Sequence, residues 1–251
     1  MALTISKLFK SYGNNNALDN INLTCGLGWV YCLLGRNGAG KSTLINIIAN
    51  LIEPTSGGIV FNDLDYTRNE IEIKKQTGLL SQYDQLVGDL NARDYLQWVG
   101  LLYGLSKTEV QKQIANLLNF FFDNDEDLSG PCAGYSSGMK KKLTFCAAVI
   151  HKPNLLLLDE PFANLDPVAA NKLCDFLIAY KNSSRLLFVS SHDLLYVDKI
   201  ATHIGIINNA SFVYNDSMSH FKDGGPRTLD QELLKYLQPK NNHLSLLESI
   251  I

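Results

Sequence analysis

Gly35-Arg36-Asn37-Gly38-Ala39-Gly40-Lys41-Ser42 satisfies the pattern G-x-x-x-x-G-K-[ST] at every fixed position. The apolar run Trp29 to Leu34 before it reads as a buried strand, and Thr43 to Ala49 after it reads as a helix. In that strand–loop–helix context the glycines let the backbone wrap a phosphate, so that several N–H groups converge on its oxygens. The helix start contributes a favourable dipole, Lys41 a mobile cation and Ser42 a hydroxyl for magnesium. Nucleotide binding is the expectation that the rest of the chain has to meet.

The 251 residues are enough to bury a large core, most simply as one α/β unit with an inserted subdomain. A net charge of −3 with interspersed signs gives no electrostatic footprint for nucleic acid. The basic run Lys140-Lys141-Lys142 is short and reads as a solvated helix face. Five scattered cysteines, none in C-x-x-C spacing, argue against a disulfide framework or a zinc site and fit a reducing compartment. No apolar stretch approaches the roughly 18 residues needed to span a bilayer. The first residues, with Thr4, Ser6, Lys7 and Lys10, lack the pattern of a signal peptide. A cytoplasmic location is therefore expected, with any membrane association through a partner.

Working outward, Leu3 to Ser6 and Ile21 to Cys25 alternate as strands around a turn at Gly13 to Asn16. Glu53 to Gly58 is a turn, and Ile59-Val60-Phe61 a short strand. Thr77 to Ser81 reads as a buried strand ending at Gln82. From Leu90 to about Phe122 the pattern is helical, with Leu96, Val99, Leu102 and Tyr103 as one stripe. A second stripe, Ile114, Leu117 and Leu118, follows the polar segment Ser106 to Gln113. The acidic run Asp123 to Asp127 lacks the spacing of a calcium loop and reads as a solvated loop. Strands at Leu155 to Leu158 and Leu186 to Ser190 flank a helix from Val168 to Tyr180. Ile204 to Ile207 and Ser211 to Tyr214 form a hairpin around Asn208-Asn209-Ala210, and one helix, Leu229 to Leu237, falls in the tail. Apolar strands alternating with helices predict a mainly parallel sheet covered on both faces.

A phosphate loop alone fits many chemistries. The run Leu155 to Leu158 delivers two consecutive carboxylates, Asp159 and Glu160, to the C-terminal end of a buried strand, where open α/β sheets bind ligands. Asp159 there is placed to hold magnesium, and Glu160 to polarise an attacking water as general base. Ser136, in Tyr135-Ser136-Ser137-Gly138-Met139, is an apt N-cap for a helix running on to Ile150, and Gly138 admits a close phosphate. The chain thus offers a second anion site on a different segment.

In this order the motifs resemble those of ATP-binding subunits of ABC transporters, over nearly all of residues 1–220. The resemblance implies a P-loop NTPase core, an N-terminal antiparallel β subdomain and an inserted α-helical subdomain. The β subdomain plus P-loop core is expected over 1–85, the helical subdomain with the signature over 86–150 and the second part of the core over 151–220, with a tail at 221–251. It implies ATP held by Gly35, Arg36, Asn37, Gly38, Ala39, Gly40, Lys41, Ser42 and Thr43, the Walker A loop. Magnesium would be held by Ser42, Gln82 and Asp159, with catalysis by Glu160, His192 and Gln82. Tyr12 matches the aromatic that stacks on adenine, Ser136, Ser137 and Gly138 the signature, and Asp166 the D-loop. Three of the five signature positions depart from the usual L-S-G-G-Q, as Tyr135, Ser137 and Met139; Ala163-Asn164 replaces the commoner Ser-Gly of the D-loop. The pattern Y-S-x-G-M followed by lysines, and Leu102 to Ser106, are similar to export-type systems.

The family works as head-to-tail dimers, here a homodimer or a pair with a paralogous ATPase subunit. It drives an integral-membrane permease, which would meet residues 83–105 (Tyr83, Leu86 and Trp98 among them) and hold the chain on the inner face of the cell membrane. A soluble ABC-type ATPase unconnected with transport, or a regulatory subunit with little hydrolysis, remains the alternative.

Overall fold

The computed structural model describes residues 2–82, 86–123, 126–222 and 229–237. Three strands, β3 (Val30–Gly35), β7 (Leu155–Asp159) and β8 (Leu186–Ser190), are buried at every position. Such runs are stable only in the middle of a sheet covered on both faces. They form it together with β6 (Thr77–Leu80), β9 (His203–Asn208) and β10 (Ser211–Ser217), in the order β10-β9-β3-β8-β7-β6. Every pairing in this sheet is parallel except β9 with β10. A second, antiparallel sheet takes the order β2-β1-β4-β5 from β1 (Leu3–Tyr12), β2 (Asn15–Cys25), β4 (Ser56–Phe61) and β5 (Leu64–Asp65).

The period of two along each central strand divides the interior in two. Tyr31, Leu33, Leu155, Leu157, Leu186 and Phe188 face a core shared with the antiparallel sheet and helix α1 (Lys41–Ile48). Cys32, Leu34, Leu156, Leu158, Leu187 and Val189 face a core closed by helices that include α3 (Ala92–Leu102), α4 (Lys107–Phe121), α5 (Ser137–Val149) and α6 (Pro167–Tyr180). Helices α3 to α5 lie in sequence between β6 and β7. All five cysteines are free and buried.

The hairpin of β9 and β10 closes through Asn209 (φ 48°) and Ala210 (φ 66°), the left-handed pair that a two-residue turn requires. Tail helix α9 (Leu229–Leu237) forms where the sequence places it. Helices α2 (Tyr66–Lys75), α7 (Leu194–Ile200) and α8 (Met218–Lys222) were not anticipated. Of α2 only Ile73 is buried, so it carries no apolar stripe; its start is set by the Asp65 side chain accepting from the Arg68 N–H.

Three expectations need correction. The stripe of α3 stops at Val99, because Leu102 is 66% exposed and Tyr103 lies beyond the helix. The polar segment from Ser106 does fall in the helical stretch, as the first half of α4, opened by a capping box in which Ser106 and Glu109 satisfy each other's backbone N–H. Most important, the lysine run is no solvated face, since Lys141 and Lys142 are buried. Lys140 donates to the Ala133 carbonyl (2.9 Å), and Lys142 meets both carboxylate oxygens of Glu126 (2.7 and 2.5 Å) and lies 4.6 Å from the Phe122 ring centre. The acidic loop is thus anchored through Glu126 rather than simply solvated; Asn124 and Asp125 fall outside the described residues.

His151, just past α5, stacks on Tyr103 at 3.5 Å between ring centres and donates from Nε2 to the Thr77 carbonyl (3.2 Å). Its Nδ1 is buried without a hydrogen-bond partner. Burial pushes its pKa down from 6.5 to about 4. Above 6.5 both the folded and unfolded chains keep this ring neutral. Between 6.5 and about 4 only the unfolded chain takes up the proton, so stability falls as the solution is acidified. The loss from this group reaches at most about 3 kcal/mol. Urea unfolding at pH 7, 5.5 and 4.5 should show that slope, and His151→Phe should flatten it.

Candidate functional site

The loop between β3 and α1 borders a cleft of about 710 Å³. Asn37, Gly38, Gly40, Lys41, Ser42 and Thr43 form one wall, Gln82 and Glu160 another. Helix α1 begins at Lys41 without a side-chain cap, so its first N–H groups are available to an anion. Gly40 adopts φ 108°, and a Cβ there would fall 2.4 Å from the Ala17 carbonyl oxygen; only glycine fits. Lys41 is almost fully buried and donates from Nζ to the carbonyls of Gly35 (2.8 Å) and Arg36 (3.3 Å), folded back over its own loop.

Beyond it lie the two carboxylates. Asp159 ends β7, is 2% exposed and accepts a hydrogen bond at Oδ1 from the Ser190 hydroxyl. Glu160 is 8% exposed and has left-handed backbone, φ 50°, an uncommon state for a residue with a Cβ. Its N–H is satisfied by Ser190, through the carbonyl (3.2 Å) and the hydroxyl (3.1 Å). Its carboxylate accepts from His192 at Nδ1 (2.8 Å) and at the backbone N–H (3.3 Å), and lies 3.8 Å from Lys41 Nζ. An ionised carboxylate only accepts, so Nδ1 of His192 carries the hydrogen. The His192 side chain is itself two-thirds exposed.

Lys41, Ser42, Gln82 and Glu160 therefore line one cleft, and His192 joins them through its contact with Glu160; Asp159, next to Glu160 in the chain, is nearly fully buried and is not part of the lining. The donor set suits a nucleotide with magnesium. Loop amides and an ammonium match a polyphosphate, while hydroxyl, amide and carboxylate oxygens match a hard cation that keeps several waters. No group of three His, Cys, Asp or Glu side chains suited to a metal occurs among the described residues.

The remaining predicted residues lie elsewhere. Gly35 and Arg36 support the loop through their carbonyls, and Ala39 donates to the Arg36 carbonyl (3.1 Å). Tyr12, at the end of β1, is half exposed, with Lys10 Nζ 5.0 Å from its ring centre, and it does not line the cleft. That stretch of wall comes instead from Asn14, Asn15, Asn16, Ala17 and Asp19 of the β1–β2 hairpin and from Asn209 and Ala210. Sequence reasoning missed these, since nothing local marks a hairpin that approaches the loop from elsewhere in the chain.

Ser136, Ser137 and Gly138 open α5 away from the cleft lining, with Ser136 Oγ accepting from the Met139 N–H (3.2 Å). Tyr135, in place of the usual leucine, is buried and bridges two segments: its hydroxyl donates to the Leu128 carbonyl (2.8 Å) and accepts from the Ala92 N–H (3.2 Å). Asp166 caps α6 by accepting from Ala169 and Val168, and those bonds hold its carboxyl below the usual range.

The model of the ABC transporter family matches residues 18–163. The lantibiotic transport ATP-binding protein SrtF of Streptococcus pyogenes is 34% identical over 211 residues, 84% of this chain and 89% of that relative. The bacitracin transport ATP-binding protein BcrA of Bacillus licheniformis is 30% identical over 227 residues, 90% of this chain and 73% of that relative. A solved ATP-binding subunit of an ABC transporter superposes with a TM-score of 0.86 at 26% identity, covering 94% of this chain and 99% of that one.

If Lys41 is the polyphosphate cation, Lys41→Ala should weaken binding of a fluorescent ATP analogue about 10- to 100-fold, the worth of a charge-assisted hydrogen bond. Unchanged affinity in an equilibrium titration would remove the loop from nucleotide binding.

Proposed function

The chain belongs to the ABC transporter family of ATP-binding subunits, and from that premise we propose that it hydrolyses ATP to drive export through a separate integral-membrane permease. It does so as half of a head-to-tail dimer, a homodimer or a pair with a paralogous ATPase subunit. The observation that carries this reading is a separation. The cleft contains the loop, Gln82 and Glu160, yet none of Ser136 to Gly138, although those residues start a helix of their own. A second copy in the opposite orientation supplies that helix start to the nucleotide.

In this reading the loop amides and Lys41 hold the polyphosphate, and Ser42, Gln82 and Asp159 hold magnesium. Bound there, magnesium neutralises charge on the phosphoryl oxygens. Glu160 accepts the proton of the attacking water, and His192, hydrogen-bonded to it, fixes the orientation of that carboxylate. Asp166 stands at the capped start of α6, where a D-loop would meet the partner. Tyr12, free of the cleft wall and half exposed, stacks on the base once nucleotide is bound.

Docking on the permease falls to the face of α3 that carries Trp98, Leu101 and Leu102, all exposed. Tyr83, also expected there, falls outside the described residues. Among those residues no helix is long and apolar enough to cross a membrane, which suits attachment to the cytoplasmic face through the permease. The relatives named for lantibiotic and bacitracin transport support the transport role.

Glu160→Gln should keep ATP binding while lowering steady-state turnover by about 10²- to 10⁴-fold, the usual worth of a positioned base. Near-normal phosphate release would take Glu160 out of that role. Ser136→Arg should leave the monomer's ATP affinity intact and abolish ATP-dependent dimerisation. Light scattering on an otherwise hydrolysis-deficient background reads this directly, and a dimer that persists would refute the composite site.

A further inference from the structure

Ser190 ends β8 directly opposite Asp159 in the parallel register of β7 and β8. It is fully buried. Its hydroxyl has one proton to give, and it gives that to Asp159 Oδ1. A lone pair of the same oxygen accepts from the Glu160 N–H (3.1 Å), and the Ser190 carbonyl shares that N–H (3.2 Å). One small side chain therefore touches the side chain of the first carboxylate and the backbone of the second. Oδ1 of Asp159 is thereby tied to the end of β8, while Glu160 has left-handed backbone and its carboxylate lies against His192 and Lys41.

We propose that Ser190 is a positioning residue, one that presets the Asp159 carboxylate for a divalent cation and fixes the backbone from which Glu160 projects. The inference rests on the nucleotide–magnesium reading above and names the group that makes the site ready. Neighbours that orient a metal's ligands commonly change metal affinity or activity by about 10- to 100-fold when removed. An alanine at 190 lets the Asp159 carboxylate turn, so that ordering it falls to the cation; it leaves the loop amides and Lys41 untouched.

The test uses the full chain and calorimetric titration with a non-hydrolysable ATP analogue, at graded magnesium and in EDTA, alongside steady-state hydrolysis. Ser190→Ala should raise the magnesium concentration giving half-maximal enhancement of binding by about tenfold. Affinity in EDTA should stay as in the wild type, and kcat should fall more than KM rises. Ser190→Thr, which retains the hydroxyl, should recover most of the magnesium response. A magnesium response in the alanine variant equal to the wild type's would overturn the role of Ser190 alone. So would equal losses in EDTA and in magnesium, which mark a purely structural effect. A wild-type chain that gains nothing from magnesium would instead overturn the nucleotide–magnesium reading itself, and this inference with it. Should the alanine variant not fold, Ser190→Cys keeps the bulk with a weaker donor and should show the same shift in smaller degree; wild-type behaviour there also overturns the proposal.

Discussion

The central sheet is buried on both faces, and that single constraint decides where chemistry can occur. Strands such as β7 and β8 have no solvent side, so a polar side chain on them loses hydration unless it sits at an end. Asp159, Glu160, Ser190 and His192 all lie at or just past the C-terminal ends of β7 and β8. The loop before α1 leaves the end of β3, in the same parallel sheet. Parallel pairing makes those ends neighbours, and the cleft follows from the topology.

Gathering these groups is costly. Lys41, Asp159 and Glu160 are each nearly inaccessible to water, and unpaired buried charges would cost several kcal/mol apiece. The structure offsets this by sharing partners. Ser190 serves both carboxylate residues, His192 holds Glu160, and Lys41 turns to the carbonyls of its own loop. Glu160 adds a strained backbone to the account. Such a site is favourable for a ligand that brings its own charge, because that ligand replaces makeshift contacts with stronger ones. The Gly35 and Arg36 carbonyls that hold Lys41 here are weaker partners for it than a phosphate oxygen.

A second cluster stabilises the helical region. The lysines at the start of α5 reach the Ala133 carbonyl and Glu126, while Tyr135 ties the same segment to α3 and to Leu128. The segment that opens α5 is thereby braced by side chains from several directions, although it is exposed at Ser136 and Ser137. The departure from the usual signature at Tyr135 finds an explanation in this bracing. Met139, another departure, is half-buried and packs against the core on the helical side of the sheet.

Much of the architecture was legible in the linear chain, because the evidence for it is local. Four leucines before Asp159, the glycines around Lys41, and Ser136 ahead of a helix each act through their own neighbours. Strand burial, the phosphate loop and the cap are properties of a few consecutive residues. Helix α2 escaped because one buried isoleucine leaves no periodicity to detect. The stripe of α3 was extended too far because Leu102 is apolar yet faces outward. The lysine run was misread because composition cannot reveal that Glu126 stands beside Lys142. What only the tertiary structure decided are meetings between segments far apart in the chain: Asp159 with Ser190, Glu160 with His192 and Lys41, and the asparagines of the β1–β2 hairpin with the phosphate loop. Those depend on strand order and register, which arise from how the whole sheet excludes water rather than from any short stretch of sequence.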